Sequence, residues 1–191
     1  MGYTTEFRGR LATSRELTEV EKNYINLISS TRRMKRDVNK LMKLYDGKHG
    51  NPFATENTPE AIYGVDGEYF VGEDERDDSV LGINTPPGQL AHGESENYWV
   101  ENLKRTNGGI CQPGLWCQWI ILPEEEADEN ADYLEWDGGE KFYNYIQWLC
   151  YLINHFFEKW GVELNGDIEW RGEEWEDNGT IHVEDNIVTI S

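Results

Sequence analysis

The segment from Glu140 to Trp160 constrains the fold most, because its apolar side chains surround a helix instead of following one side of it. An inner face at steps of three or four is formed by Phe142, Tyr145, Ile146, Leu149, Leu152, Ile153, Phe156 and Trp160. Large side chains on the opposite face are Tyr143, Trp148, Tyr151 and Phe157. A helix that is apolar on several sides must be covered on several sides. The sequence therefore predicts a long core helix over 140–160 with Gly161 as its C-cap.

Short segments with alternating or continuous apolar residues predict a sheet around this helix. The predicted strands are residues 3–12, a hairpin over 61–72 that turns at Asp66-Gly67, 115–122, 133–136, 162–171, and a hairpin over 180–190 that turns at Asp185-Asn186. Tight turns join antiparallel neighbours, so these connections favour antiparallel pairing.

A second amphipathic helix is predicted in the N-terminal quarter of the chain. Thr18 with Glu21 three residues later is a capping-box signature. An apolar stripe with steps of three, four or seven begins at Leu17 and continues to Tyr45. The stripe predicts a helix of roughly seven or eight turns, with a break near Ser29-Ser30-Thr31.

These elements together predict an α+β fold, with a mainly antiparallel sheet and two long helices packed on one of its faces. The length of 191 residues predicts a single domain over 1–191. Residues from about 73 to 113 are polar and contain several glycines and prolines, so we expect a loop-rich insertion there.

The sequence favours a cytoplasmic protein. No apolar run reaches the length of a membrane span, and the segment from Met1 to Glu6 lacks the charged and apolar regions of a signal peptide. Three cysteines cannot all pair, so free thiols in a reducing compartment are expected. We therefore expect no contact with a membrane.

Charge is segregated along the chain and limits its partners. Residues 1–50 hold 11 basic and 6 acidic side chains, the remainder holds 6 basic and 31 acidic ones, and the net charge is −20. A field this negative disfavours direct binding to nucleic acid or to an anionic membrane. It is compatible with a solvated acidic surface, with a basic protein partner, or with mimicry of a nucleic acid.

Catalytic motifs are sparse. The phosphate-binding loop, the dinucleotide fingerprint, the nucleophile elbow and the zinc-protease helix are absent from the sequence. Cys111 and Cys117 with His92 or His155 could hold zinc, but their spacing matches no familiar zinc motif. Cys150 lies within the predicted core helix, where a thiol usually serves packing. We therefore expect neither a metal nor another cofactor, and the sequence favours a binding protein over an enzyme.

Arginines in the N-terminal quarter form the main candidate site. The candidate ligand-binding residues are Arg8, Arg10, Arg32, Arg33 and Arg36, with Trp116 and Trp136 as stacking surfaces. Arg33 and Arg36 fall at helical spacing with Lys40 and Lys43 on one face of the predicted helix. Guanidinium groups suit phosphate or carboxylate, and an arginine beside an indole suits a nucleotide-like ligand. The alternative is internal pairing of these arginines with the acidic remainder of the chain.

A series of motifs spans nearly the whole chain. They are GYTTEFRGRL at 2–11, STRRMKRD at 30–37, QPGLWCQW at 112–119, LEWDGGEKFY at 134–143, WG at 160–161, LNG at 164–166 and WRGE at 170–173. Together they resemble the pattern of a family of small uncharacterised proteins encoded by bacteriophages and bacteria. The candidate arginines belong to this pattern. Relative to it, the chain carries an insertion around residues 88–111.

The resemblance implies an accessory role for a bacteriophage, exercised in the host cytoplasm, and it supplies no reaction. We expect a non-catalytic binding protein that sequesters an anionic, nucleotide-like small molecule, with antagonism of host defence as its role. One alternative is an acidic inhibitor or nucleic-acid mimic that binds a host protein. Another alternative is a metal-dependent enzyme.

Overall fold

Six strands form one antiparallel sheet that organises the fold. The computed structural model describes residues 2–72, 84–89 and 113–191. In chain order the strands are β1 (Glu6–Thr13), β2 (Met34–Arg36), β3 (Asn84–Gln89), β4 (Trp119–Ile121), β5 (Tyr133–Trp136), β6 (Leu164–Arg171), β7 (Asn178–Glu184) and β8 (Ile187–Ile190). β2 pairs with β3, and the other six form the sheet in the order β4-β5-β1-β6-β7-β8. The antiparallel sheet confirms the predicted α+β class.

Helices of this fold pack against the sheet or in a second, smaller buried cluster. Those among the described residues are α1 (Glu19–Ser30), α2 (Val38–Tyr45), α3 (Pro59–Tyr63) and α4 (Tyr145–Leu152), which continues as a π-helix over Ile153–Phe157. Every residue from Trp148 to Ile153 is buried, so α4 is covered on several sides as predicted. Within the described ranges, none of these helices has the length and apolarity that crossing a bilayer requires.

The core lies between the helices and the inner face of the sheet. The sheet contributes Phe7, Leu11, Trp119, Ile121, Leu134, Leu164, Ile168, Ile181 and Val183. Ile25 and Ile28 of α1 and Leu149 of α4 belong to the same buried cluster. Because side chains alternate across a strand, the residues between these core positions point to the opposite face.

Side chains of α1 complete the hydrogen bonds of β4, which is an edge strand of the sheet. The side-chain amide of Asn26 donates to the carbonyl of Ile121 (3.2 Å) and accepts from its backbone N–H (2.8 Å). The hydroxyl of Ser29 donates to the carbonyl of Trp119. Exposed strand edges attract other chains, and α1 protects this edge by using its polar groups.

The long helix predicted over 17–45 is wrong, although its break falls where the sequence placed it. The capping box of α1 is present, and the helix ends at Ser30 because Thr31 is extended. A new helix then begins at Asp37, whose carboxylate accepts from two backbone amides at the start of α2. Arg36 lies in β2, so the predicted helical face of arginines and lysines does not form.

The hairpin predicted over 61–72 is also wrong. Thr58 caps α3 through a bond from the Ala61 amide, and Pro59 occupies the first turn, where proline favours a helix. A 3-10 turn at Val65–Gly67 follows, and residues 68–72 belong to no strand.

The predicted long helix over 140–160 is shorter in the structure. Lys141 and Asn144 have positive φ angles of 60° and 56°, and α4 begins only at Tyr145. Two long helices are therefore not found, since α1 has 12 residues and α4 has 8, followed by 5 residues of π-helix. Gly161 has φ 67°, the left-handed conformation expected of the predicted C-cap.

The C-terminal strands follow the prediction closely. β5 has the predicted bounds, and the last hairpin turns at Asp185 and Asn186, which both have positive φ angles. β4 is shorter than the strand predicted over 115–122. The predicted insertion at about 73–113 lies outside the described residues, except for β3 and Pro113.

Gly9→Ala is expected to destabilise the fold more than Gly138→Ala. Both glycines have positive φ angles, 109° and 82°, so both substitutions strain the backbone. At Gly9 a Cβ atom would also collide with the carbonyl oxygen of Asp167, whereas at Gly138 no atom of the described residues lies within 4 Å. We expect Gly9→Ala to lower the free energy of unfolding by about 3 kcal/mol and Gly138→Ala to lower it by about 1 kcal/mol, as measured by urea unfolding. Equal losses would contradict the close approach of β1 and β6.

Candidate binding site

The face of the sheet opposite the core is exposed and charged. Its exposed residues on the two central strands are Glu6, Arg8 and Arg10 of β1 and Asp167, Glu169 and Arg171 of β6. In each cross-strand pair between them, an acidic residue lies opposite a basic one. Opposite charges therefore face each other across the two strands.

A groove of about 550 Å³ lies on this face, across β1, β6 and β7. Its lining residues are Glu6, Arg8, Glu169, Trp170, Arg171, Trp175, Glu176, Asn178, Gly179 and Thr180. This volume is within the usual range for small-molecule sites, about 300–1,000 Å³. The groove combines guanidinium groups, carboxylates and an indole ring.

The loop between β6 and β7 carries Trp175 to the end of the groove. The loop is closed by a hydrogen bond from the Gly172 N–H to the Asp177 carbonyl (2.7 Å). The hydroxyl of Tyr3 donates to the Asp177 carboxylate, and the Thr4 N–H donates to the side chain of Glu173 (2.7 Å). The N-terminal segment thus holds the loop in place, while the Trp175 side chain remains 81% exposed.

Arg8 and Arg171 bring two guanidinium groups into the groove. Among the described residues, neither guanidinium donates a hydrogen bond or lies within 4.0 Å of a carboxylate oxygen. The Cζ atom of Arg171 lies 5.4 Å from the centre of the Trp175 ring, in a cation–π contact. Both groups can therefore donate to a bound phosphate or carboxylate.

Arg10 lies on the same face, beside the groove. Its Cζ atom is 4.2 Å from the centre of the Tyr133 ring on β5. This contact keeps the guanidinium on the open face, two residues along β1 from Arg8. Arg8 and Arg10 are thus the two predicted arginines that the structure brings together on the sheet.

Arg33 is used inside the fold. Its guanidinium is fully buried and donates to three carbonyls, those of Thr31 (3.1 Å), Glu68 (3.1 Å) and Phe70. These bonds tie the segment after α1 to residues 68–70. Buried carbonyls need donors, and this arginine supplies three of them at once.

Arg36 is buried beside Arg33. It donates to the carbonyl of Arg32 (2.8 Å), and its Cζ atom lies 4.7 Å from the centre of the Phe70 ring. The predicted cluster of five arginines is therefore divided. Arg8 and Arg10 lie on the sheet face, and the other three lie around the end of α1.

The predicted tryptophans do not line the groove. Trp136 packs against Phe7 with ring centres 5.4 Å apart and donates to the Gln118 side chain (3.0 Å). Trp116 lies outside the groove with 46% of its surface exposed. Arg171 and Trp175 are the groove residues that the sequence reasoning missed. Arg171 lies on β6, the strand that pairs with the strand of Arg8. Its place in the groove could be predicted only from the register between β1 and β6.

A row of side-chain hydrogen bonds on another part of the open face joins β6, β7 and the residue that follows β8. Nδ1 of His182 lies 2.7 Å from Asp167 Oδ1, and Nε2 lies 2.7 Å from the Ser191 hydroxyl. An acid, a histidine and a serine in this order can activate a nucleophile. The backbone N–H of Ser191, however, donates to the Thr180 carbonyl (3.0 Å) and is not available to stabilise an oxyanion. We therefore assign this row of hydrogen bonds to the pairing of β6, β7 and β8.

A cluster of buried polar side chains surrounds His155 on the side of the core formed by the helices. The Tyr69 hydroxyl lies 2.8 Å from His155 Nδ1, and the Tyr151 ring stacks on the imidazole at 4.1 Å. Burial raises the pKa of Tyr69 and of Tyr151 well above the usual range, so both hydroxyls remain protonated. Tyr151 belongs to α4 and His155 to its π-helical continuation, on the other side of the sheet from the groove.

The described residues offer little for metal binding or thiol chemistry. No group of three or more histidine, cysteine, aspartate or glutamate side chains in the described ranges has a geometry that could hold a metal ion. Cys117 and Cys150 are buried and unpaired. Cys111 and His92, the other candidates for a zinc site, lie outside the described residues.

Comparison of the chain with protein-family models, with curated proteins and with solved structures finds no match. The function is therefore inferred from the geometry and chemistry of the groove.

Arg33→Lys is expected to lower the free energy of unfolding by about 2–4 kcal/mol, because a lysine cannot donate to all three carbonyls and leaves buried acceptors unpaired. The matched control is Arg8→Lys on the exposed face, for which we expect a change within about 0.5 kcal/mol. Urea unfolding followed by tryptophan fluorescence measures both. Unchanged stability of Arg33→Lys would contradict a structural role for this guanidinium.

Cys117 and Cys150 are expected to resist alkylation in the folded protein. Burial raises the pKa of both thiols to about 12, so almost no reactive thiolate is present at neutral pH. Iodoacetamide treatment followed by peptide mass spectrometry should label neither residue in native buffer and both in urea. Rapid native labelling of Cys150 would instead support a nucleophilic cysteine.

Proposed function

We propose that this protein is a non-catalytic binding protein that captures an anionic, nucleotide-like small molecule in the groove on the open face of the sheet. The main supporting observation is the pair of guanidinium groups of Arg8 and Arg171, which have no acidic partner within 4.0 Å among the described residues. They lie in one groove with the exposed ring of Trp175.

The arginines and the tryptophan of the groove bind different parts of the ligand. Arg8 and Arg171 bind the anionic group, and hydrogen bonds between charged partners contribute about 1.5–3 kcal/mol each. Trp175 stacks on a planar base, which contributes about 1–3 kcal/mol. Such a ligand has its charge and its aromatic ring within one small molecule, and the groove of about 550 Å³ can hold both.

The charge of the whole chain favours a small ligand over a nucleic acid. At physiological salt, charges interact over about 8 Å, so a mononucleotide in the groove feels chiefly the side chains around it. A long nucleic acid would lie over further parts of a molecule whose net charge is −20. Local arginines on an acidic protein thus suit a single nucleotide.

A binder without turnover acts by stoichiometric capture. On the resemblance of its motifs to proteins encoded by bacteriophages, we propose that the chain is an accessory protein of this kind in the host cytoplasm. It would lower the free concentration of a nucleotide on which host defence depends. This role follows from binding alone and requires no cofactor.

A second candidate is an acidic inhibitor or nucleic-acid mimic that binds a basic host protein. Glu125, Glu126 and Glu129 are exposed in the connection between β4 and β5, and they favour this candidate. A complex with a host protein that weakens with salt and with charge reversal at Glu125 and Glu126 would support it over nucleotide capture.

The double variant Arg8→Gln/Arg171→Gln is expected to lose nucleotide binding. Isothermal titration calorimetry with AMP, GMP, CMP and UMP measures the affinity of the unaltered protein and of the variant. Removal of two charged donors should raise Kd at least about 100-fold for every nucleotide that binds. Trp175→Ala should raise it about tenfold, and Trp175→Phe should raise it less.

The control is Lys43→Gln/Lys48→Gln, which changes the net charge equally at exposed positions outside the groove. We expect this control to change Kd by no more than about twofold. Equal losses in both double variants would mean that net charge, and not the groove, determines binding. Failure of the unaltered protein to bind any of the four nucleotides would overturn the proposed function.

A further inference from the structure

We infer that the groove on the open face selects guanine among the nucleotide bases. The inference rests on the proposed function of the same groove and adds the chemistry of the base that it recognises. It follows from the acidic side chains of the groove, which the capture of a plain anion does not explain.

The groove holds more carboxylates than guanidinium groups. Glu6, Glu169 and Glu176 line it together with Arg8 and Arg171. Among the described residues, none of the three carboxylates lies within 4.0 Å of a basic nitrogen. A simple anion such as phosphate would gain from two cations and be repelled by three anions. A ligand that suits this groove must carry N–H donors as well as negative charge.

The carboxylates lie where they can meet the edge of a stacked base. Glu176 follows Trp175 in the same loop, and both line the groove. Glu169 on β6 lies opposite Arg8 on β1 and opposite Thr180 on β7. Paired Cα atoms of neighbouring strands are about 4.5–5.5 Å apart, so a carboxylate and a guanidinium lie within the length of one nucleotide.

Guanine is the base whose edge matches a carboxylate. Its N1–H and its exocyclic amino group are adjacent donors, and the two oxygens of one carboxylate can accept from both. Adenine presents an acceptor at N1, which a carboxylate repels, and cytosine presents one at N3. The neighbouring carbonyl of guanine needs a donor. The side-chain amide of Asn178 lines the groove and uses one of its two N–H groups on the Trp175 carbonyl (3.0 Å).

The experiment compares GMP, IMP and AMP with the full chain by isothermal titration calorimetry at one ionic strength. IMP lacks only the exocyclic amino group of GMP, and AMP has a hydrogen-bond acceptor at N1 where GMP has a donor. We expect GMP to bind at least about tenfold more tightly than IMP, and AMP to bind most weakly. Equal affinity for the three nucleotides would overturn the inference and leave the proposed capture intact. Absence of binding by all three would overturn the inference, and absence of binding by CMP and UMP as well would overturn the proposed function.

The variants Glu169→Gln and Glu176→Gln identify the carboxylate. The responsible variant should lose the preference for GMP over AMP while AMP binding stays equal or improves, because a repulsive charge is removed. Glu129→Gln is the control, since it removes the same charge at an exposed position outside the groove. Circular dichroism verifies that each variant is folded. Retention of the GMP preference in both groove variants and in Glu6→Gln would overturn the inference.

Discussion

The antiparallel pairing of β1 with β6 is the constraint on which both the core and the candidate site depend. It joins residues 6–13 to residues 164–171 in eight consecutive pairs. On one side of these strands, Phe7 and Ile168 enter the core. On the other side, the same register places Arg8 opposite Glu169 and so assembles the groove. A shift by one residue would exchange the two faces, which would bury charge and expose the core.

Arginines of one sequence region perform two different physical tasks. Arg33 is buried and donates to carbonyls that would otherwise lack donors. Its hydrogen bonds therefore stabilise the contact of the segment after α1 with residues 68–70. Arg8 lies in solvent and satisfies no described acceptor, so its donors are available to a ligand. The difference arises from position: a buried guanidinium must be fully hydrogen-bonded, whereas water can solvate an exposed one.

Short sequence motifs predicted the elements that are stabilised by hydrogen bonds between residues close in sequence. The capping box at Thr18 and the turn at Asp185-Asn186 formed as expected because nearby backbone groups satisfy them. Such sequence signals were misleading over 17–45, where the apolar stripe continues but Thr31 is extended and Arg33 donates to carbonyls distant in sequence. They were also misleading over 61–72, where Thr58 caps a short helix and the Val71 N–H donates to the carbonyl of His49.

The sequence by itself determined the α+β class, the antiparallel C-terminal strands, the burial of α4 and the segregation of charge, since periodicity and composition carry these properties. Only the tertiary structure decided which charged side chains lie close together. It divided the predicted arginines between the core and the open face, and it brought Arg171 and Trp175 to Arg8 from a segment about 160 residues away. The physical reason is that strand register and loop anchoring arise from long-range hydrogen bonds, which no local pattern of residues encodes.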